Sequence, residues 1–337
     1  MQGKNIFGEE TEKKQKTNRK NRRNIEEILE RKHYIKRERA GKMIRRTDLA
    51  IENKEMFEEG NGSGKSIPGV SIDTDAYGKK IEVTRITIED EVGSSIMNKP
   101  QGKYITLEIK GGIDGTEETK KAASHALAKE IAKLVPFHYH LKVLVIGLGN
   151  EKVTPDSLGP HTISKIRVTR HLFLHYEVDG DPEQSNVSAL NPGVMACTGM
   201  ESGDLIKRAA EISGPEVILV VDALAARNVE RINSTIQITD TGISPGAGAG
   251  NYRKELTEAT MGRRVVAIGV PTVIDAGTLI LDSIFDYLAD QKKAEEHILQ
   301  SGPKMIVTSS DIDQVIHDFS QIIAEGINIA LHPGIYS

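Results

Sequence analysis

The chain has 337 residues, 38% of them hydrophobic and 27% charged, which is enough apolar sequence for a sizeable buried core in a globular protein. No apolar run approaches the roughly 18 residues of a membrane span, no apolar signal region opens the chain, and the single cysteine, Cys197, excludes an internal disulfide and suits a reducing cytoplasm. The net charge of −4 conceals a split: residues 1–48 carry 16 Lys and Arg against 8 Asp and Glu, and the rest 28 against 40, so a basic arm precedes an acidic body.

Residues 1–23 are polar and have almost nothing to bury, so they read as disordered; Asn24 to Arg39 reads as a short charged helix capped by Asn24. Gly60-Asn-Gly-Ser-Gly-Lys-Ser66 imitates a phosphate-binding loop. Its first glycine is displaced, Glu59 standing where that glycine belongs, and a helix over Glu52–Glu59 precedes it instead of a strand, so it reads as a surface loop. Lys80–Asp90 alternates polar and β-branched residues as a half-buried strand does, and pairs naturally with Tyr104–Ile109. Apolar residues at 123, 127, 131 and 134 mark a helix over Thr116–Val135, closed by Pro136.

Val143–Ile146 is a continuous, largely β-branched run, the pattern of a strand buried on both faces of a parallel sheet. It leaves through Gly147-Leu-Gly-Asn150 into a loop carrying Asp156, and Ser157–Val168 is expected to be helical. Asp179–Thr198 is long, polar and turn-rich, the kind of loop that is usually functional. A helix over Glu201–Ile212 leads to a second buried strand, Val217–Val221, ending on Asp222. Ile232–Thr239 alternates as a strand, Gly242–Gly250 is a glycine loop, and Arg264–Val270 is a third buried strand. A helix over Leu279–Lys292, a short strand near Met305–Asp311 and an amphipathic helix over Asp313–Leu331 complete the chain. Alternation of strand and helix from 141 onward predicts an α/β fold with a mainly parallel central sheet and helices on both faces.

Asp156 and Asp222 would lie just beyond the carboxyl ends of buried strands, where open α/β sheets place their chemistry. Two carboxylates there can share a proton, one activating water while the other polarises a carbonyl. They can equally be loop or N-cap residues, or hold a divalent metal with a histidine such as His161. Gly147-x-Gly149 fails as a dinucleotide fingerprint because Lys152 replaces the third glycine. There is no G-x-S-x-G nucleophile elbow, no Cys/His cluster has zinc spacing, and Cys197, with no neighbouring cation, reads as a small packed residue.

Ile146-Gly-Leu-Gly-Asn150, Thr154-Pro-Asp-Ser-Leu-Gly-Pro160, Asn191-Pro-Gly-Val-Met-Ala196, Thr198-Gly-Met-Glu201, Val221-Asp-Ala-Leu-Ala225 and Pro271-Thr-Val-Ile-Asp275 together resemble the germination proteases of spore-forming bacteria, from about Arg46 to the C-terminus. The resemblance implies a fold similar to that of hydrogenase-maturation proteases and an atypical aspartic-type endopeptidase that degrades small acid-soluble spore proteins, with Asp156 and Asp222 catalytic. It implies a zymogen that cuts itself, after an acidic residue and two places before a small one. Asp48-Leu49-Ala50 matches, making 1–48 a basic propeptide and 49–337 a single peptidase domain. Asn191, Gly193 and Met195 in one loop and Gly246, Gly248 and Gly250 in another are the expected substrate-binding walls. A homotetramer in the cytoplasm of the forespore, with no cofactor, no metal, no membrane contact and no direct nucleic-acid role, is expected. The competing readings are a metal-dependent peptidase of the maturation kind and a DNA-binding protein using the basic arm.

Overall fold

The computed structural model describes residues 47–62, 64–113, 115–246, 254–284 and 287–336, so the expected N-terminal helix and the arm ahead of it lie outside the described residues. Among the described residues the frame is a nine-stranded mixed sheet: β1 (Val70–Tyr77), β2 (Ile81–Ile88), β3 (Gly102–Ile109), β4 (Lys142–Gly147), β5 (Asn186–Leu190), β6 (Val217–Ala226), β7 (Thr235–Thr239), β8 (Arg264–Asp275) and β9 (Ile306–Val307). The strands lie in the order β1-β2-β3-β7-β8-β6-β4-β5, with β9 beside β8. β8, β6, β4 and β5 run parallel, as the strand–helix alternation predicts. β1, β2, β3 and β7 form an antiparallel wing that joins at β8, and its centre is the expected β2–β3 pairing.

The helices are α1 (Ala50–Asn61), α2 (Glu91–Met97), α3 (Glu117–Leu134), α4 (Leu158–Ile163), α5 (Arg170–Tyr176), α6 (Met195–Thr198), α7 (Ser202–Ser213), α8 (Glu258–Met261), α9 (Ala276–Ile284), α10 (Gln291–Ser301), α11 (Ile312–Leu331) and α12 (Pro333–Tyr336). Successive side chains of a strand point to opposite faces, and this alternation sorts the core into layers. Val143 and Val145 of β4 and Leu219 and Val221 of β6 face α3 and α11, which bring Leu127, Ile131, Phe319 and Ile323. On the opposite face, Leu144, Ile146, Ile218 and Val220 meet Ile206 and Ala210 of α7. Further along that face, Leu224 and Ala226 meet Leu49, Ala50 and Ile51 at the start of α1. Asp222 falls between Val220 and Leu224, in the gap between the two clusters.

α3 begins as its sequence dictates. Thr116 accepts the Thr119 N–H at its N-terminus, Glu117 and Glu118 lie in the first turn and Lys133 in the last, each charge matching the helix dipole.

Several expectations are corrected. β6 runs on to Ala226 and β8 to Asp275, so Asp222 is the sixth residue of its strand rather than the residue after it. β8 carries Pro271 inside a central strand, where proline cannot donate to the ladder; the register with β6 shifts there, between Leu224 and Ala225. The long 179–198 loop contains β5, which extends the parallel sheet. β1 escapes the sequence pattern because it is an exposed edge strand with polar residues on both faces. The helix expected over Ser157–Val168 ends at Ile163, and that expected over Leu279–Lys292 divides into α9 and α10. Cys197 is exposed rather than packed. Gly60 and Asn61 finish α1, so no strand precedes the glycine-rich loop.

Candidate active site

β6 outruns its neighbour β4. Their pairing ends with Gly147 opposite Val221, and Leu148 N donates to Val221 O at 2.8 Å. The chain then turns at Gly149, whose φ of +115° is one that other residues rarely adopt. A Cβ there would run into the Asp156 carbonyl and come within 3.3 Å of Asp156 Oδ1, so glycine is what lets the returning chain lie this close. Asn150 N donates to Asp156 O at 2.9 Å, and Thr272 Oγ1 of β8 donates to Pro155 O at 2.8 Å. Thr154–Asp156 is thereby held as a single tight turn against the end of the parallel sheet, touching β6 and β8. Asp156 is not the cap of the following helix: Ser157 occupies that position, and no side chain caps it.

Asp222 is 4% exposed and belongs to a row that crosses three strands. It is in register with Gly269 of β8, which is in register with Gln237 of β7. Two strand spacings, about 10 Å, separate Asp222 from Gln237. Between them Gly269 offers no side chain; a Cβ there would come 2.5 Å from Leu224. The row, with Asp48, Lys99, Tyr104 and Gly246, lines a cavity of about 160 Å³.

The segment 47–52 lies on this row. Asp48 N donates to Ala225 O at 2.9 Å, and Asp48 Oδ2 accepts the Ala225 N–H at 2.8 Å. The Asp48 carbonyl oxygen accepts from Lys99 Nζ at 2.9 Å and from Gln237 Nε2 at 3.0 Å. Ala50 N donates to Gln237 Oε1 at 2.6 Å, and Leu49 N to Thr47 Oγ1 at 2.9 Å. Leu49 and Ala50 are fully buried. Glu52, also fully buried, accepts the Arg227 and Asn228 N–H groups, each at 2.8 Å, and the Thr47 hydroxyl. Burial raises the Glu52 carboxyl above its usual value, against these three hydrogen bonds. Burial pulls the Lys99 ammonium below the ordinary lysine value, against the opposing influence of Asp48 and Glu52.

The sequence-expected residues are thus divided. Asp48, Asp222 and Gly246 share the cavity; Asp156 lies against Gly149 and is not on its wall. Asn191, Gly193 and Met195 follow β5 at the same end of the parallel sheet but do not line the cavity. Their loop reaches the Asp156 loop through Cys197 Sγ, 3.7 Å from Asn150 Oδ1. Gly248 and Gly250 lie outside the described residues. A larger groove of about 1030 Å³, lined by Glu55, Glu58, Glu59 and Glu108 with Arg227 and Arg231, contains neither Asp156 nor Asp222. His161 is exposed, and among the described residues no three His, Cys, Asp or Glu side chains are gathered as a metal would require.

Lys99 and Gln237 were not singled out by the sequence. Lys99 sits in Asn98-Lys-Pro100, which reads as a turn. Gln237 alternates with Ile236 and Ile238, the pattern of a solvent-facing residue, yet it is 6% exposed beneath Ala50.

A family model described as germination protease matches residues 47–295. A germination protease of Clostridium tetani is 41% identical over 313 residues, covering 86% of this chain and 96% of its own. Those of Caldanaerobacter subterraneus and Clostridium perfringens are 38% and 37% identical, each covering 86% of this chain and 95% of its own. Among solved structures, a [NiFe] hydrogenase maturation protease from Thermococcus kodakarensis covers 58% of this chain and 98% of its own, at 16% identity and a TM-score of 0.30, a likeness too slight to carry an argument.

Proposed function

This chain belongs to the germination protease family, and from that premise we propose that it is a zymogen endopeptidase that cuts itself between Asp48 and Leu49 and then degrades small acid-soluble spore proteins. The observation that carries the reading is the placement of the Asp48 carbonyl in the cavity that Asp222 faces. The side chains around that bond also suit the expected preference. An acidic residue before the cut has the Ala225 N–H as a partner, and a small residue two places after it fits where Ala50 is fully enclosed.

In the proposed reaction Asp222, with Asp156 as its companion at the same end of the parallel sheet, accepts a proton from the attacking water. The support for the pair is positional: both are held at one end of the parallel sheet, Asp156 by the turn that touches β6 and Asp222 by β6 itself. An atypical aspartic-type mechanism, a homotetrameric assembly and a forespore location complete the proposal. Among the described residues no helix is long and apolar enough to cross a membrane.

The test follows the full chain by intact mass and then offers it a purified small acid-soluble spore protein, with Asp156→Asn and Asp222→Asn alongside. The parent is expected to shorten to an N-terminus at Leu49 and to cut the spore protein after acidic residues, while both variants fold but lose activity. Near-parent activity in either variant would make that aspartate structural.

A further inference from the structure

Two side chains converge on the Asp48 carbonyl oxygen. Lys99 Nζ reaches it at 2.9 Å from the turn after α2, and Gln237 Nε2 at 3.0 Å from β7. Gln237 holds the chain on both sides of one bond, since its Oε1 also accepts the Ala50 N–H at 2.6 Å. We propose that Lys99 and Gln237 are the oxyanion-stabilising pair of this peptidase. The proposal rests on the reading that the Asp48–Leu49 bond is the one cut.

The geometry fits the role. Donors that stabilise a tetrahedral intermediate lie about 2.7–3.1 Å from the oxygen that gains the charge. Both are in place before any reaction, so none of the activation is spent on moving them. When water oxygen attacks the Asp48 carbonyl carbon, the C=O π pair moves onto the oxygen between Lys99 and Gln237. Asp222, facing the same cavity, takes the water proton. On collapse the C–N bond breaks with its electron pair on Leu49 N, which receives that proton, and Asp48 leaves as a carboxylic acid end that ionises. An ammonium and an amide N–H in this part-buried place each interact more strongly with the developing charge than they would in bulk water. Gln237 shares its row with Gly269 and Asp222, and the absent Gly269 side chain leaves room for Leu224, which with all three lines the cavity that Asp48 enters.

The experiment measures the rate at which the full chain converts to a fragment starting at Leu49, by intact mass, for the parent, Lys99→Met, Lys99→Arg and Gln237→Glu. Gln237→Glu is nearly isosteric and keeps an acceptor for Ala50 N–H while removing the donor, so its fold is the best protected. Lys99→Met and Gln237→Glu are each expected to slow the cut by on the order of 10²–10³-fold with melting temperatures close to the parent's, and Lys99→Arg to recover part of the loss. Cutting at Leu49 by both variants within about threefold of the parent would overturn the pair and leave the processing reading standing. A rate loss matched by collapse of the melting transition would make the two residues structural and also overturn the pair. A parent that stays intact, or that shortens to another N-terminus, would overturn the processing reading and the pair with it.

Discussion

Leu49→Ala tests how the chain holds its own N-terminal segment. Leu49 is 0% exposed and packs with Ile51, Ile86, Ile88, Met97, Leu224, Ala226 and Ile274. Most of those neighbours stand on strands of the central sheet, whose hydrogen-bonded ladders cannot move in to fill a void. Loss of the isobutyl group therefore removes its transfer free energy and leaves most of a cavity, which places the cost in the upper part of the range for such substitutions, about 3–5 kcal/mol. For a chain of this size that corresponds to a fall of roughly 10 °C in melting temperature. The assay is thermal unfolding of the full chain in an Asp222→Asn background, in which the proposed mechanism keeps the bond intact, and of the processed parent and its Leu49→Ala counterpart. Both forms are expected to lose the same amount, because Leu49 remains in the core whether or not Asp48 precedes it. A change below about 1 kcal/mol in the intact form would refute the packing argument. A large loss in the intact form with none in the processed form would refute the idea that Leu49 stays in place after the cut.

At Asp48, replacement by Asn keeps an acceptor for Ala225 N–H but drops the charge, a loss of about 1 kcal/mol and roughly a fivefold slower self-cleavage; replacement by Ala leaves that buried N–H unpaired, about 1–3 kcal/mol, and slows it by up to 10²-fold. Time courses of intact mass separate the two. Ala50→Leu forces three carbons into a fully enclosed position, which costs about 1–3 kcal/mol and is expected to block processing by lifting Ala50 N–H off Gln237. Stability against acid should report Glu130, whose carboxyl is buried yet is held down at about 2 by hydrogen bonds from Arg85, Lys133 and Tyr77 that outweigh the burial. A carboxyl depressed in the folded state stabilises it above the unfolded value of about 4.5, and that stabilisation is lost as pH falls toward 2; Glu130→Gln should flatten this part of the melting-temperature profile. An unchanged slope between those pH values would assign the acid sensitivity to other groups.

The sequence exposes the parallel half of the sheet because burial on both faces leaves an unmistakable mark: Val143–Ile146 and Val217–Val221 are apolar without interruption. It exposes α3 and α11 because their apolar residues recur at helical spacing. It conceals how far β6 and β8 extend, since Asp222 and Pro271 look like endings. Each is tolerated inside its strand for a local reason, Asp222 because it faces a cavity and Pro271 because the ladder slips there. The two aspartates stood out in the sequence because each follows a buried apolar run, although Asp222 lies inside its strand and not beyond it. The groups on the Asp48 carbonyl were not, because no local pattern distinguishes a lysine in a turn or a glutamine in an alternating strand from surface residues. Their meaning comes from contacts between positions 48, 99 and 237, which only the folded sheet brings together.

The two halves of the Asp48–Leu49 bond are held differently, and this bears on how the self-cleavage proposed above would clear the site. On the Asp48 side the contacts are hydrogen bonds to Ala225, Lys99 and Gln237, each with a net worth of about 0.5–1.5 kcal/mol, or up to about 3 where a charge takes part. On the Leu49 side apolar burial of Leu49 and Ile51, about 1.5–3 kcal/mol for each side chain, adds to the hydrogen bonds of Ala50 N with Gln237 and of Glu52 with the Arg227 and Asn228 N–H groups. While the bond is intact, the apolar side fixes the polar side in the cavity at high effective concentration. With the bond cut as proposed, the Asp48 side would keep only contacts that water and other carboxylates compete for. The Leu49 side would keep its burial and stay. In the reaction proposed here a protein substrate would bring its own residues after the cut to the place that Leu49 and Ala50 fill, so the grip on Leu49 would have to be released before a second chain could occupy the same site. On that proposal the strength of the Leu49 packing would set both how well the chain presents its own bond and how readily it yields the place to another.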